Sequence, residues 1–114
     1  MLGRAAPHNI DAEEALLACC IIDAAETLSL CQEKGLRPES FYRPAHEIIF
    51  HIIEQMQRQN VGVDQITLAN ALAGRTVGTL PGRERDPDSG QNLFEYLGGH
   101  ALLNQITSRI ESTV

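Results

Sequence analysis

The sequence predicts an all-α fold of about five helices, and three observations carry that prediction. Ala45, Ile48, Ile49, Ile52, Ile53 and Met56 recur at the i, i+3, i+4, i+7 spacing of one helix face. Start residues (Asn9 or Asp11, Asp23, Asp64) and stop glycines (Gly35, Gly74) bracket successive apolar segments. No stretch sustains the apolar–polar alternation of strands joined by hairpin turns. The 114 residues, 43% of them hydrophobic, suit a single domain. A domain of this size buries roughly 65% of its unfolded-chain surface, enough for one core without disulfides or metals.

Asn9 or Asp11 is expected to cap the first helix, with Glu13 and Glu14 in its first turn, where the helix dipole favours negative charge. Ala15 to Ile22 follow without a polar residue, so the middle of this helix is expected to be buried all round. Asp23 is expected to cap a second helix, about Ala24 to Lys34, with Ala25, Leu28 and Cys31 inward and Gly35 just past its end. Pro38 and Pro44 punctuate a connector that Phe41 and Tyr42 are expected to anchor in the core. The third helix carries the apolar stripe from Ala45 to Met56, with Glu47, His51, Glu54, Gln55 and Arg58 opposite, and is expected to end near Asn60. Asp64 caps a fourth, with Ile66, Leu68, Ala69, Leu72 and Ala73 as its apolar residues. Residues 76–92 hold three Gly, two Pro and a charged cluster, which reads as a mobile surface insertion. Leu93 to Tyr96 form a short turn, Gly98-Gly99 breaks the chain, and a last helix from His100 turns Leu102, Leu103, Ile106 and Ile110 inward.

Nine basic residues stand against 15 acidic ones, for a net charge of −6, and no two basic residues are adjacent. A nucleic-acid clamp shows a basic stripe, so that class is disfavoured, and a polybasic membrane tail is excluded. Three Phe, two Tyr and no Trp are too few for a base-stacking platform. The longest apolar run, Ala15 to Ile22, falls far short of the roughly 20 residues that span a bilayer. Met1 to Pro7 lack a signal-type apolar region, so the expected setting is the cytoplasm, with no membrane partner. Cys19, Cys20 and Cys31 form no CxxC and read as small core hydrophobes.

The sequence proposes no catalytic, cofactor-binding or metal-ligating residue. His46 and His51 sit at i and i+5, about 140° apart on a helix, whereas the two His of HExxH lie about 40° apart and share one metal. His46 is expected to be partly buried against the connector and His51 solvated. No P-loop, nucleophile elbow or EF-hand loop occurs. Charge opposite an apolar stripe nominates Glu47, Glu54 and Arg58, with Arg83 and Arg85 of the long loop, as solvent-exposed partner surface.

Four segments, in order, carry a resemblance. Pro7-His8-Asn9-Ile10-Asp11-Ala12-Glu13-Glu14-Ala15-Leu16-Leu17 resembles the opening of the bacterial replicative DNA helicase family of the DnaB type. Phe41-Tyr42-Arg43-Pro44-Ala45-His46-Glu47-Ile48-Ile49-Phe50 is similar to its second block, an aromatic pair before a His-bearing helix. Val63-Asp64-Gln65-Ile66-Thr67-Leu68-Ala69 and Leu97-Gly98-Gly99-His100-Ala101-Leu102-Leu103 match the third and fourth. Together they span about residues 7–107. Ala18 stands where the family usually has Gly, Leu102 stands where it often has an aromatic, and residues 76–92 exceed its usual link.

The resemblance implies a small orthogonal helical bundle, the N-terminal head of a hexameric ATP-driven helicase. It implies a structural role for Pro7, Asn9, Ala12, Glu13, Leu16, Leu17, Phe41, Tyr42, His46, Ile49, Phe50, Asp64, Thr67, Leu68, Gly98, Gly99 and Leu103. It implies a non-catalytic collar that meets other subunits of the hexamer, primase and a helicase loader, with weak or no DNA binding of its own. ATP and magnesium belong to a separate motor domain. That domain and the C-terminal hairpin are expected to lie outside this chain. The competing readings are another small helical interaction domain and a helix-turn-helix DNA binder using Gln65 to Arg75. That segment holds one Arg and no Lys, a poor match to the phosphate contacts that dominate DNA affinity.

Overall fold

In the computed structural model, residues 9–112 are described, with side chains as far as Arg109. They form α1 (Ile10–Ile22), α2 (Ala24–Glu33), α3 (Pro44–Arg58), α4 (Gln65–Ala73), α5 (Leu93–Tyr96) and α6 (His100–Ser112). Two 3-10 turns, Pro38–Ser40 and Val77–Thr79, interrupt the connections, and no strand occurs among the described residues. α1 packs against α6, α2 and α3, and α4 packs against α3, α5 and α6.

Side-chain caps start most of the helices. The Asn9 carboxamide accepts the Ala12 N–H at 2.9 Å, so Asn9 and not Asp11 caps α1. Asp23, alone between α1 and α2, accepts the Glu26 N–H at 3.2 Å and donates its own N–H to the Cys19 carbonyl at 2.9 Å. Asp64 and Thr67 satisfy each other's backbone N–H at 2.8 Å, a reciprocal box that starts α4. Left-handed residues close α2, α3 and α5. Gly35 and Asn60 (φ 75° and 61°) follow the last turns of α2 and α3. The N–H groups of Leu36 and Val61 then reach back to the carbonyls of Cys31 and Met56 at 2.8 and 2.9 Å. Gly98 and Gly99 (φ 108° and 65°) do the same after α5, where the Gly99 N–H meets the Phe94 carbonyl at 2.8 Å.

The core runs along α3. Ile48, Ile49, Ile52, Ile53 and Met56 are buried there, as is Phe50, whose ring centroid lies 4.9 Å from that of Phe41. Leu17, Cys20 and Ile21 from α1, Leu28 and Cys31 from α2, Leu68 and Leu72 from α4, and Leu103 and Ile106 from α6 complete it. Ala18 is buried as well.

Several sequence expectations need correction. α1 is not buried all round: Ala15, Cys19 and Ile22 are exposed, because its packing partners leave one face uncovered. Ala24, not Ala25, joins the α2 stripe. Phe41 is buried as expected, but Tyr42 is 58% exposed. The expected end of α3 near Asn60 holds: the helix runs to Arg58, with Gln59 as its C-cap. Ile66 is 73% exposed, since α4 buries Leu68 and Leu72 instead. The expectation for Ile110 falls outside the described side chains.

Residues 76–92 are a surface loop with an internal framework that composition did not reveal. Thr76 and Asn92 form an antiparallel bridge at its base, and Val77 and Leu80 plug into the core. The N–H groups of Val77 and Gly78 donate to the carbonyls of Gln91 and Ser89 at 3.0 and 2.9 Å. A Cβ on Gly78 would stand 3.1 Å from the Ser89 Cβ, so a larger residue there would push the two limbs apart by a few tenths of an ångström.

Truncating Phe50 to Ala removes a fully buried ring that packs on Phe41. Urea unfolding of Phe50→Ala should show a loss of about 3–5 kcal/mol. The exposed Ile66→Ala should stay within about 0.5 kcal/mol of the parent.

Candidate interaction surfaces and the buried carboxylate cluster

α3 begins without a cap of its own. Its N-cap residue, Arg43, supplies no side-chain bond, and Pro44 at the first helical position has no N–H. Glu13 of α1 fills the gap from across the fold. One carboxylate oxygen accepts the Tyr42 N–H at 2.6 Å. The other accepts the Arg43 N–H at 3.4 Å and meets His46 Nδ1 at 2.8 Å. Burial alone would raise the Glu13 pKa, but the hydrogen bonds from Tyr42, His46 and Arg43 outweigh it and hold the group below its ordinary 4.5. An ionised carboxylate only accepts, so Nδ1 of His46 carries a proton.

The neighbouring Glu14 turns the other way. It is fully buried, and both of its oxygens are held by α6. Gln105 donates to Oε2 at 2.6 Å, and Arg109 donates to Oε1 from Nε at 3.0 Å and from Nη2 at 2.7 Å. The same Nη2 reaches Asp11 at 2.6 Å. His46, also fully buried, places Nε2 3.9 Å from Glu14 Oε2, too far for a hydrogen bond. Adjacent residues on α1 thus bind two different helices.

The first two sequence blocks meet in this cluster: Asn9, Ala12, Glu13, Leu16 and Leu17 lie at or on α1, and Phe41, Tyr42, His46, Ile49 and Phe50 lie at or on α3. Asp64, Thr67 and Leu68 start α4, Gly98 and Gly99 turn the chain from α5, and Leu103 is buried on α6. Pro7 lies outside the described residues. Sequence reasoning treated Glu14 only as dipole compensation and missed Asp11, Gln105 and Arg109 as its companions. Arg109 is 95 positions from Glu14 and carries no local signal.

His46 is fully buried, not partly, because α1 as well as the connector covers it. His51 is half-buried, not solvated, because it lines a groove. Burial, and then the charges of Arg58 and Arg75, push its pKa below the ordinary 6.5. Of the nominated partner surface, Arg58 and Arg85 are exposed, while Glu47, Glu54 and Arg83 are half-buried. Burial raises the Glu54 pKa. Arg83 donates to the Tyr96 hydroxyl at 3.2 Å, which draws it off the loop tip. Burial pushes the Cys20 thiol up to about 12 and raises that of Cys31, so both stay protonated as packing groups. No group of three or more His, Cys, Asp or Glu able to hold a metal occurs among the described residues. No helix among them is long and apolar enough to cross a membrane.

Because the folded pKa of Glu13 lies below its ordinary value, its capping bonds contribute fully above about pH 4.5 and are lost as pH falls through the folded pKa. The wild type should therefore lose urea stability on the acid side. Glu13→Gln should lose less stability than the wild type between about pH 6 and about pH 3. Parallel pH profiles for the two would contradict the trans-cap.

Comparison with known proteins places this geometry. The family model described as "DnaB-like helicase N terminal domain" matches residues 5–114. The chain is 31% identical over 110 residues, 96% of its length, to "Replicative DNA helicase DnaB" of Rhodothermus marinus. It is 30% identical over 110 residues to that of Pasteurella multocida (strain Pm70), and 36% identical over 70 residues, 61% of its length, to that of Geobacillus stearothermophilus. The matched regions are 10%, 20% and 15% of those three proteins in the same order, so the chain spans only a small part of each. The crystal structure of the N-terminal domain of DnaB helicase from Mycobacterium tuberculosis superposes with a TM-score of 0.66 at 23% identity, covering 90% of this chain and 61% of that one. That superposition shows a shared helical fold. The chain belongs to the DnaB-like helicase N-terminal domain family.

Proposed function

We propose that this chain is a non-catalytic collar of a hexameric, ATP-dependent replicative DNA helicase, acting in the cytoplasm in subunit assembly and in docking primase or a helicase loader. The observation that carries this reading is the family match across residues 5–114. ATP and magnesium belong to a motor domain on the parent protein, and DNA engagement belongs there too. The net charge of −6 supports a surface that meets proteins in preference to phosphate backbone.

The helix-turn-helix alternative loses support from the described geometry. α4 ends at Ala73 and contains no Lys or Arg. Arg75 lies beyond it, with its guanidinium on the Ala71 carbonyl at 3.3 Å. A groove-reading helix without a cation lacks the phosphate contacts that dominate affinity.

The test compares the parent helicase with and without this head. Native mass spectrometry should find hexamers that weaken, and pull-down with purified primase should fail, when the head is deleted. The 114-residue chain alone should bind single-stranded DNA more weakly than micromolar at physiological salt. Micromolar or tighter binding by the chain, or unchanged assembly and primase capture without it, would overturn the proposal.

A further inference from the structure

Among the described residues, His46 Nε2 is the buried side-chain nitrogen or oxygen that has no hydrogen-bond partner. A buried polar atom left in that state needs a physical reason. The ring is fully buried, with Nδ1 on Glu13 Oε1 at 2.8 Å and Nε2 3.9 Å from Glu14 Oε2. A bare Nε2 presents a lone pair, so it and the Glu14 oxygen are two acceptors facing one another. A proton on Nε2 turns the same pair into a donor and an acceptor. Glu14 Oε2 takes one hydrogen bond, from Gln105, and a carboxylate oxygen has room for a second. Closing the gap requires a shift of about 1 Å. Gln105 is exposed, so its amide can follow Glu14 through that shift.

We infer that His46 is a proton-operated tie between the two carboxylate anchors of α1. A second proton, taken from solvent onto Nε2, makes the ring an imidazolium that donates to Glu13 from Nδ1 and to Glu14 from Nε2. α3 is then joined through one ring to both carboxylates, and through Glu14 to Gln105 and Arg109 on α6. Without that proton the Glu13 and Glu14 anchors act separately. The charged groups of the cluster are Glu13 and Glu14 of α1, which the ring meets, and Arg109 of α6 behind Glu14, itself paired with Asp11. Glu47, next to His46 on α3, lines the groove beside the Pro38–Ser40 turn. Histidine is the side chain suited to such a switch near neutral pH. The tie forms when Nε2 is loaded and is lost as pH rises, so the packing of α1, α3 and α6 responds to protons.

Nitrogen NMR of the His46 ring in the wild-type chain, at about pH 8.5 and about pH 6, tests the tie without any substitution. Nδ1 should be protonated at both and Nε2 only at the lower. Urea unfolding of Glu13→Gln, Glu14→Gln and the double variant at the same two pH values reads the coupling between the anchors. The double variant's unfolding constant should depart from the product of the single effects by about fivefold more at the lower pH. In a His46→Asn background, which keeps a donor near the Nδ1 position and has no second protonation site, that departure should be equal at both. Nε2 bare at both pH values, Nε2 protonated at both, a departure that does not change with pH, or one that changes as much with His46→Asn would overturn the inference.

Discussion

Glu13 and Glu14 are consecutive residues on α1, yet their carboxylates serve different helices. Glu13 caps the start of α3 and pairs with His46. Glu14 is buried and takes three hydrogen bonds from α6. Consecutive helical residues point about 100° apart, so one short stretch of α1 can hold two neighbours in fixed register. The packing of this domain depends on that divergence, because α1 is the element that α2, α3 and α6 share.

A buried carboxylate is costly unless its oxygens are satisfied. Glu14 meets that condition through Gln105 and the Arg109 fork, and the guanidinium also spans to Asp11. Charge-assisted bonds of this kind are directional, whereas the apolar contacts around them tolerate sliding. The apolar core, to which every helix contributes, supplies the larger part of the burial, and the polar cluster selects one arrangement of the helices. The cluster is therefore structural: its carboxylates are taken up by neighbouring helices.

How far the sequence could be read depended on how local each signal is. The α3 stripe is a periodic signal with a direction, and its buried face follows it from Ile48 to Met56. The Asn9, Asp23 and Asp64 caps lie within three residues of the N–H groups they bind. α1 was misjudged because eight consecutive apolar residues carry no direction, so only its neighbours decide that Cys19 and Ile22 face out. The loop at residues 76–92 looked featureless because its order comes from backbone bonds and from two buried side chains, Val77 and Leu80. Glu13 and His46 were each singled out in the sequence, but their contact joins positions 33 apart. The Glu14–Arg109 contact joins positions 95 apart, and no composition or spacing rule connects them.

Native-state hydrogen exchange tests the divergence of the two carboxylates most directly. Glu13→Gln and Glu14→Gln should each be compared with the parent, amide by amide. The account predicts that Glu14→Gln accelerates exchange chiefly along α6, and that Glu13→Gln does so chiefly in the first turns of α3, with α4 protected in both. Uniform acceleration across all helices in both variants, or the same helix responding to each, would contradict it.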